Sequence, residues 1–176
     1  MIIDFHTHMF PDKIAKGTLD FLEGVCKVTP YTDGTYEGLK ASGERAGVDI
    51  SVALPAVTKV SQIPSINRFA SSYLEGPVIS FGGIHPESEN YKQELQEIKS
   101  LGMKGIKLHP DYQEMYFNDI RYKRLVSYAS ELADHRRACR TGPKVPGGRS
   151  LHASDGAGIN PRGSAREYGT CASWGQ

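Results

Sequence analysis

Apolar positions in the first 132 residues follow two alternating periods. Short apolar runs at residues 2–5, 48–55, 78–84 and 104–108 have the length and β-branched content of strands, the first with the apolar start suited to a buried one. Between them, apolar residues recur at helical spacing. Ala15, Thr18, Leu19 and Leu22 share one face of a helix that begins at Pro11-Asp12 and stops before Gly24, and residues 25–34 read as a loop. A second helix is predicted over residues 36–46, ended by Gly47, and a third carries Ile63, Ile66, Ala70 and Tyr73 up to Gly76-Pro77. Residues 91–101 are amphipathic through Leu95, Ile98 and Leu101. A last helix, from about Asn118, aligns Tyr122, Leu125, Val126, Ala129 and Leu132. The order βαβαβαβα predicts an α/β fold of parallel strands with helices outside, and four such units make the N-terminal half of a (β/α)8 barrel. A doubly wound open sheet is the competing arrangement.

Chemistry-bearing residues recur where these strands end. Alternation along the first strand puts Asp4, His6 and His8 on one face. Two imidazoles at i and i+2 that point the same way can grip one divalent metal ion, at roughly 2.0–2.1 Å per Zn–N bond. The plainer reading is a pair of polar histidines at a strand end. His85 and His109 each follow a strand and precede a proline, and Lys107 shares a face with His109 while Ile106 and Leu108 turn toward the helices. In a barrel all five residues would meet at the C-terminal mouth, where such folds carry their active sites. A doubly wound sheet does not explain that recurrence.

The stretch Ile-Asp-Phe-His-Thr-His at residues 3–8 resembles the first-strand metal motif of the amidohydrolase superfamily of metal-dependent (β/α)8-barrel enzymes. Gly-Ile-Lys-Leu-His-Pro at residues 105–110 resembles the fourth strand of its amidohydrolase-related branch. That branch holds small-molecule hydrolases and the aminocarboxymuconate-semialdehyde type of decarboxylase. The resemblance covers residues 1 to about 132. It implies a divalent cation, usually zinc, with His6 and His8 as ligands and Lys107 as a further ligand in the modified form that some relatives use. His85 and His109 are then the substrate contacts. A metal-activated water would attack a small-molecule substrate. A non-oxidative decarboxylase of the same superfamily is the alternative, and a non-catalytic half barrel is the third reading. The family's histidines on strands 5 and 6 and its aspartate on strand 8, among them the expected general base, have no counterpart in the chain. The catalytic residue is therefore unknown. Asp111 and Glu114 read as solvated loop acids.

Charge and composition then divide the chain. Residues 1–134 carry 14 basic and 18 acidic side chains, net −4, whereas residues 135–176 carry 7 basic and 2 acidic, net +5. The second stretch has only Val145, Leu151 and Ile159 as aliphatic Val, Leu or Ile, against 8 Gly and 6 Arg, too little apolar area to offset ordering entropy. It is expected to be an irregular tail, disordered or out of frame. A nucleic-acid-binding arm is disfavoured by its scattered charges and few aromatics. At 176 residues the chain is short for a complete barrel of about 250. Cys26, Cys139 and Cys171 form neither a zinc spacing nor an even disulfide set. With no apolar run near membrane-spanning length and no signal peptide, a cytoplasmic location is the simplest expectation, with no membrane or nucleic-acid partner. The two ends of a half barrel would leave strand edges open to self-association.

The genetic code offers an origin for the tail. Read one base later, with the three arginines encoded as CGN, the codons for residues 133–141 become CNG, AYC, AYC, GNC, GNG, CNT, GYC and GNA, which permit Leu-Ile-Ile-Val-Val-His-Ala-Gly. The same shift over residues 170–175 permits Leu-Ala-His-Leu-Gly. Both missing histidines reappear in one frame.

Overall fold

A computed structural model describes residues 1–27 and 29–138 together with a short strand, Cys171–Ser173. The order is β1 (Ile3–Thr7), α1 (Asp12–Cys26), α2 (Tyr36–Ala46), β2 (Ile50–Ala53), α3 (Ile63–Ala70), β3 (Val78–Ser80), β4 (Gly82–Gly83), α4 (Tyr91–Ser100), β5 (Gly105–Lys107), α5 (Ile120–Ala138) and β6 (Cys171–Ser173). A 3₁₀ turn over Val60–Gln62 leads into α3. Every helix predicted from the periodicity is present.

β1 pairs with β2 and β2 with β3, both parallel, and β4 pairs parallel with β5. β3 and β4 are two pieces of the one strand predicted over residues 78–84, parted at Phe81. The Phe81 N–H still reaches the Ala53 carbonyl at 3.0 Å. Beyond that point Asn67 of α3 takes over the ladder: its Oδ1 accepts from the Gly83 N–H at 2.8 Å and its Nδ2 donates to the Gly83 carbonyl at 3.0 Å. The strand thus turns from β2 toward β5 without orphaning its backbone. Glycine is required there by packing. A Cβ on Gly83 would lie 2.4 Å from Val57 Cγ2, and one on Gly82 would lie 2.6 Å from Ile98 Cγ2.

The parallel strands therefore follow one another in space in the order they have in sequence. The described strands form two three-stranded sheets, β1-β2-β3 and β4-β5-β6; neither order shows the reversal that defines a doubly wound sheet, and no closed barrel forms among the described residues. The main core lies between β4, β5 and helices α4 and α5, where Ile84, Leu95, Ile98, Ile106 and Leu125 are fully buried. Each such side chain contributes about 1.5–3 kcal/mol relative to exposure. Local signals set the helix ends. The Thr35 hydroxyl caps α2 by accepting from the Gly38 N–H at 3.1 Å, and Gly47 ends that helix in the left-handed region at φ 70°. No helix among the described residues is long and apolar enough to cross a membrane.

One expectation is corrected. The first strand is not buried: Ile3 and Phe5 are 44% and 48% exposed, because β1 has a neighbour on one edge only among the described residues. Two short pieces of the stretch expected to be irregular are described. α5 runs to Ala138, and Cys171–Ser173 pairs antiparallel with β5. An open edge presents unpaired N–H and C=O groups that any extended segment can satisfy. The rest of that stretch, residues 139–170 and 174–176, lies outside the described residues.

Candidate functional site

The alternation of β5 does what its sequence requires. Ile106 and Leu108 enter the helix-side core, while Lys107, itself 1% exposed, turns the other way and brings its Nζ to 3.5 Å from Nε2 of His6, 101 positions earlier. On β1 and just past it, the rings of His6 and His8 lie 5.2 Å apart at 68°. Nδ1 of His8 sits 2.9 Å from the carbonyl of Leu54, at the end of β2. A carbonyl only accepts, so Nδ1 carries the proton and Nε2 presents its lone pair, the arrangement in which a histidine ligates a metal.

Electrostatics joins His109 to this group. Protein packed around His8 disfavours its charged form and pushes its pKa to about 4. The Leu54 carbonyl opposes the shift, and nearby His6, Lys107 and His109 add to it. His8 also keeps an exposed surface. His109 is lowered by burial first and by Lys107 second, against Asp111. Its ring stacks on Tyr112, centroids 4.0 Å apart and 3° from parallel. Both histidines are neutral at neutral pH, as ligation or hydrogen bonding to substrate requires.

His85 stands in different company. It is buried, its Nδ1 accepts from the Glu87 N–H at 3.2 Å, and the charges that act on it are Glu87 and Arg121. The structure thus draws His6, His8, Lys107 and His109 together and gives His85 a turn-forming contact. Asp111 and Glu114 are exposed, as expected of loop acids.

A residue that periodicity does not mark holds the strand ends together. Gln113 is 5% exposed, and its Nε2 donates to the carbonyls of Val57 and Ile84, each at 2.8 Å. Its Oε1 accepts from the Tyr122 hydroxyl at 2.5 Å and from the His109 N–H at 3.2 Å. One side chain therefore braces the segments that follow β2, β4 and β5 against α5. No local signal announces this, since both groups it donates to are distant backbone carbonyls.

The donors present suit a zinc-like cation in kind. His6 and His8 offer imidazole nitrogen, and Lys107 stands beside them. They fall short in number, because a catalytic zinc takes three protein ligands and no group of three or more His, Cys, Asp or Glu side chains is placed to hold one metal among the described residues. No protein-family model matches this chain, and neither does any curated protein or solved structure.

Proposed function

We propose that residues 1–132 are the N-terminal half of a (β/α)8 barrel of the amidohydrolase-related type, and that its active form is a metal-dependent hydrolase of small molecules. The observation that carries this reading is the approach of Lys107 on β5 to His6 on β1, with His8 held beside them by the Leu54 carbonyl. Sequential parallel strands with such residues at their C-terminal ends are the pattern that barrel enzymes use. His6 and His8 would hold the cation. When bound, it would make a water nucleophilic near neutral pH. Lys107 would stand next to that water, and His109, backed by Tyr112, would orient the substrate. Incomplete ligation makes this chain a weak metal binder with little or no turnover of its own.

Zinc titration of the chain tests the site. Weak, saturable uptake should be abolished in the His6→Ala/His8→Ala double variant, and unchanged uptake in that variant would sink the proposal. Given to the complete, active form, a panel of esters, lactones and carboxylated dienes, analysed for hydrolysis products against released carbon dioxide, separates the hydrolase from the decarboxylase.

A further inference from the structure

The amphipathic logic of α5 runs out at one residue. Tyr122, Leu125, Ala129 and Leu132 enter the core at helical spacing, and the next position in phase is Arg136. Lys99 of α4 donates to the carbonyl of Leu132 at 2.6 Å, tying the two helices together at the last buried core residue of α5 among the described residues. Past this point a βα repeat requires a parallel strand against β5. That edge instead carries Cys171–Ser173, the one antiparallel pairing among the described strands.

We infer that the coding frame changes at Leu132, and that the nucleotides for residues 133–140, read one base later, encode the missing parallel strand. In that frame the two AYC codons can specify only Ile or Thr, and GYC only Val or Ala. A stop in that frame requires a Leu, Ile, Val or Met codon followed by A or G. Residues 133–176 hold three such residues. Val145 and Leu151 are each followed by a codon beginning with C, so only Ile159, which precedes Asn160, could give a stop, and then only as ATA. The scarcity of Val, Leu, Ile and Met codons in this stretch is thus what keeps the shifted frame open. A strand there would replace β6 on β5 and end in a histidine beside Lys107 and His109. The inference rests on the four-unit fold proposed above, not on its metal chemistry.

The test is the DNA sequence from the codon of Leu132 onward. The frame inference predicts Asp134 as GAT and His135 as CAT, giving the two Ile codons, and Ala138 as GCA, giving histidine from CAT. It further predicts Ala172 as GCA followed by a TCN serine, and an open shifted frame for roughly 100 further codons, the length a complete barrel needs. A stop at Ile159, other bases at Ala138 and Ala172, or early closure overturns it. Deleting one nucleotide after Leu132 and expressing the resulting chain separates the two proposals. With the predicted codons present, tight zinc binding supports both, whereas failure to bind zinc removes the functional reading and leaves the frame inference standing.

Discussion

Replacing Gln113 by Ala tests whether the mouth of the sheet is braced by one side chain. The substitution removes two donated and two accepted hydrogen bonds. It leaves the carbonyls of Val57 and Ile84 and the hydroxyl of Tyr122 without their partner, and Tyr122 is fully buried. Burial pushes the Tyr122 phenol pKa far up, so the group is a neutral donor throughout the working pH range. Each buried polar group left unmatched costs about 1–3 kcal/mol. Water entering the space offsets part of that, so about 3–5 kcal/mol is the expected loss, against the roughly 5–15 kcal/mol that holds a domain folded. At about 3–5 °C per kcal/mol for a body of this size, the melting temperature falls by about 10 °C or more. Circular dichroism melts of the wild type, Gln113→Ala, Tyr122→Phe and the double variant measure it. The two changes should be less than additive by about 1–2 kcal/mol, since each orphans the other's partner. Gln113→Glu adds a signed check. A carboxylate cannot donate to two carbonyls, its folded-state pKa is raised, and stability is present at low pH and lost as pH rises through that value. A Gln113→Ala variant that melts within about 2 °C of the wild type would refute the brace.

Other positions carry independent outcomes. Asp119 accepts from the backbone N–H and the guanidinium of Arg121, which hold its pKa down from 3.8 to about 2. Its contribution is full above the ordinary carboxylate value and is lost as pH falls toward 2, so Asp119→Asn should flatten the fall in melting temperature between about pH 4 and pH 2. An equally steep fall in the variant would place the acid sensitivity elsewhere. Gly83→Ala drives a methyl group into Val57 and α3, and overpacking of this kind costs about 1–3 kcal/mol, read by urea denaturation. The edge of β1 that no described strand covers, with Ile3 and Phe5 exposed, should make the chain self-associate as its concentration rises. Phe5→Lys should restore a monomer in sedimentation velocity. A wild-type chain that stays monomeric at every concentration would refute that reading.

The sequence discloses what depends on near neighbours and hides what depends on distant ones. The end of the helix at residues 36–46 is legible because Gly47 acts within one turn of the residues it controls. Lys107 could be assigned its face because alternation is local, and that face proved to be the one His6 occupies. Local pattern also misled. Ile3 and Phe5 have the composition of a buried strand, but burial belongs to whatever pairs and packs beside them, and among the described residues β1 has one neighbour instead of two. Asn67 and Gln113 were invisible for the converse reason. Each is a polar residue inside an ordinary-looking segment, and its role lies in backbone groups 16 and up to 56 positions away. These two amides sit where strands must part or end, the places where a βα repeat has no ladder partner to offer its own backbone. A search for further brace residues should therefore begin with buried amides next to strand termini. By that rule Asn67 guards β4 and Gln113 the segments after β2, β4 and β5, while the ends of β1 and β2 are tied to each other by the Leu54 N–H on the Thr7 carbonyl and by His8 on the Leu54 carbonyl. His8 thus has a structural task as well as its proposed ligand role, and His8→Ala should lower stability by about 1 kcal/mol even in metal-free buffer, whereas His8→Asn, whose amide can still donate to Leu54, should recover that loss without recovering zinc binding.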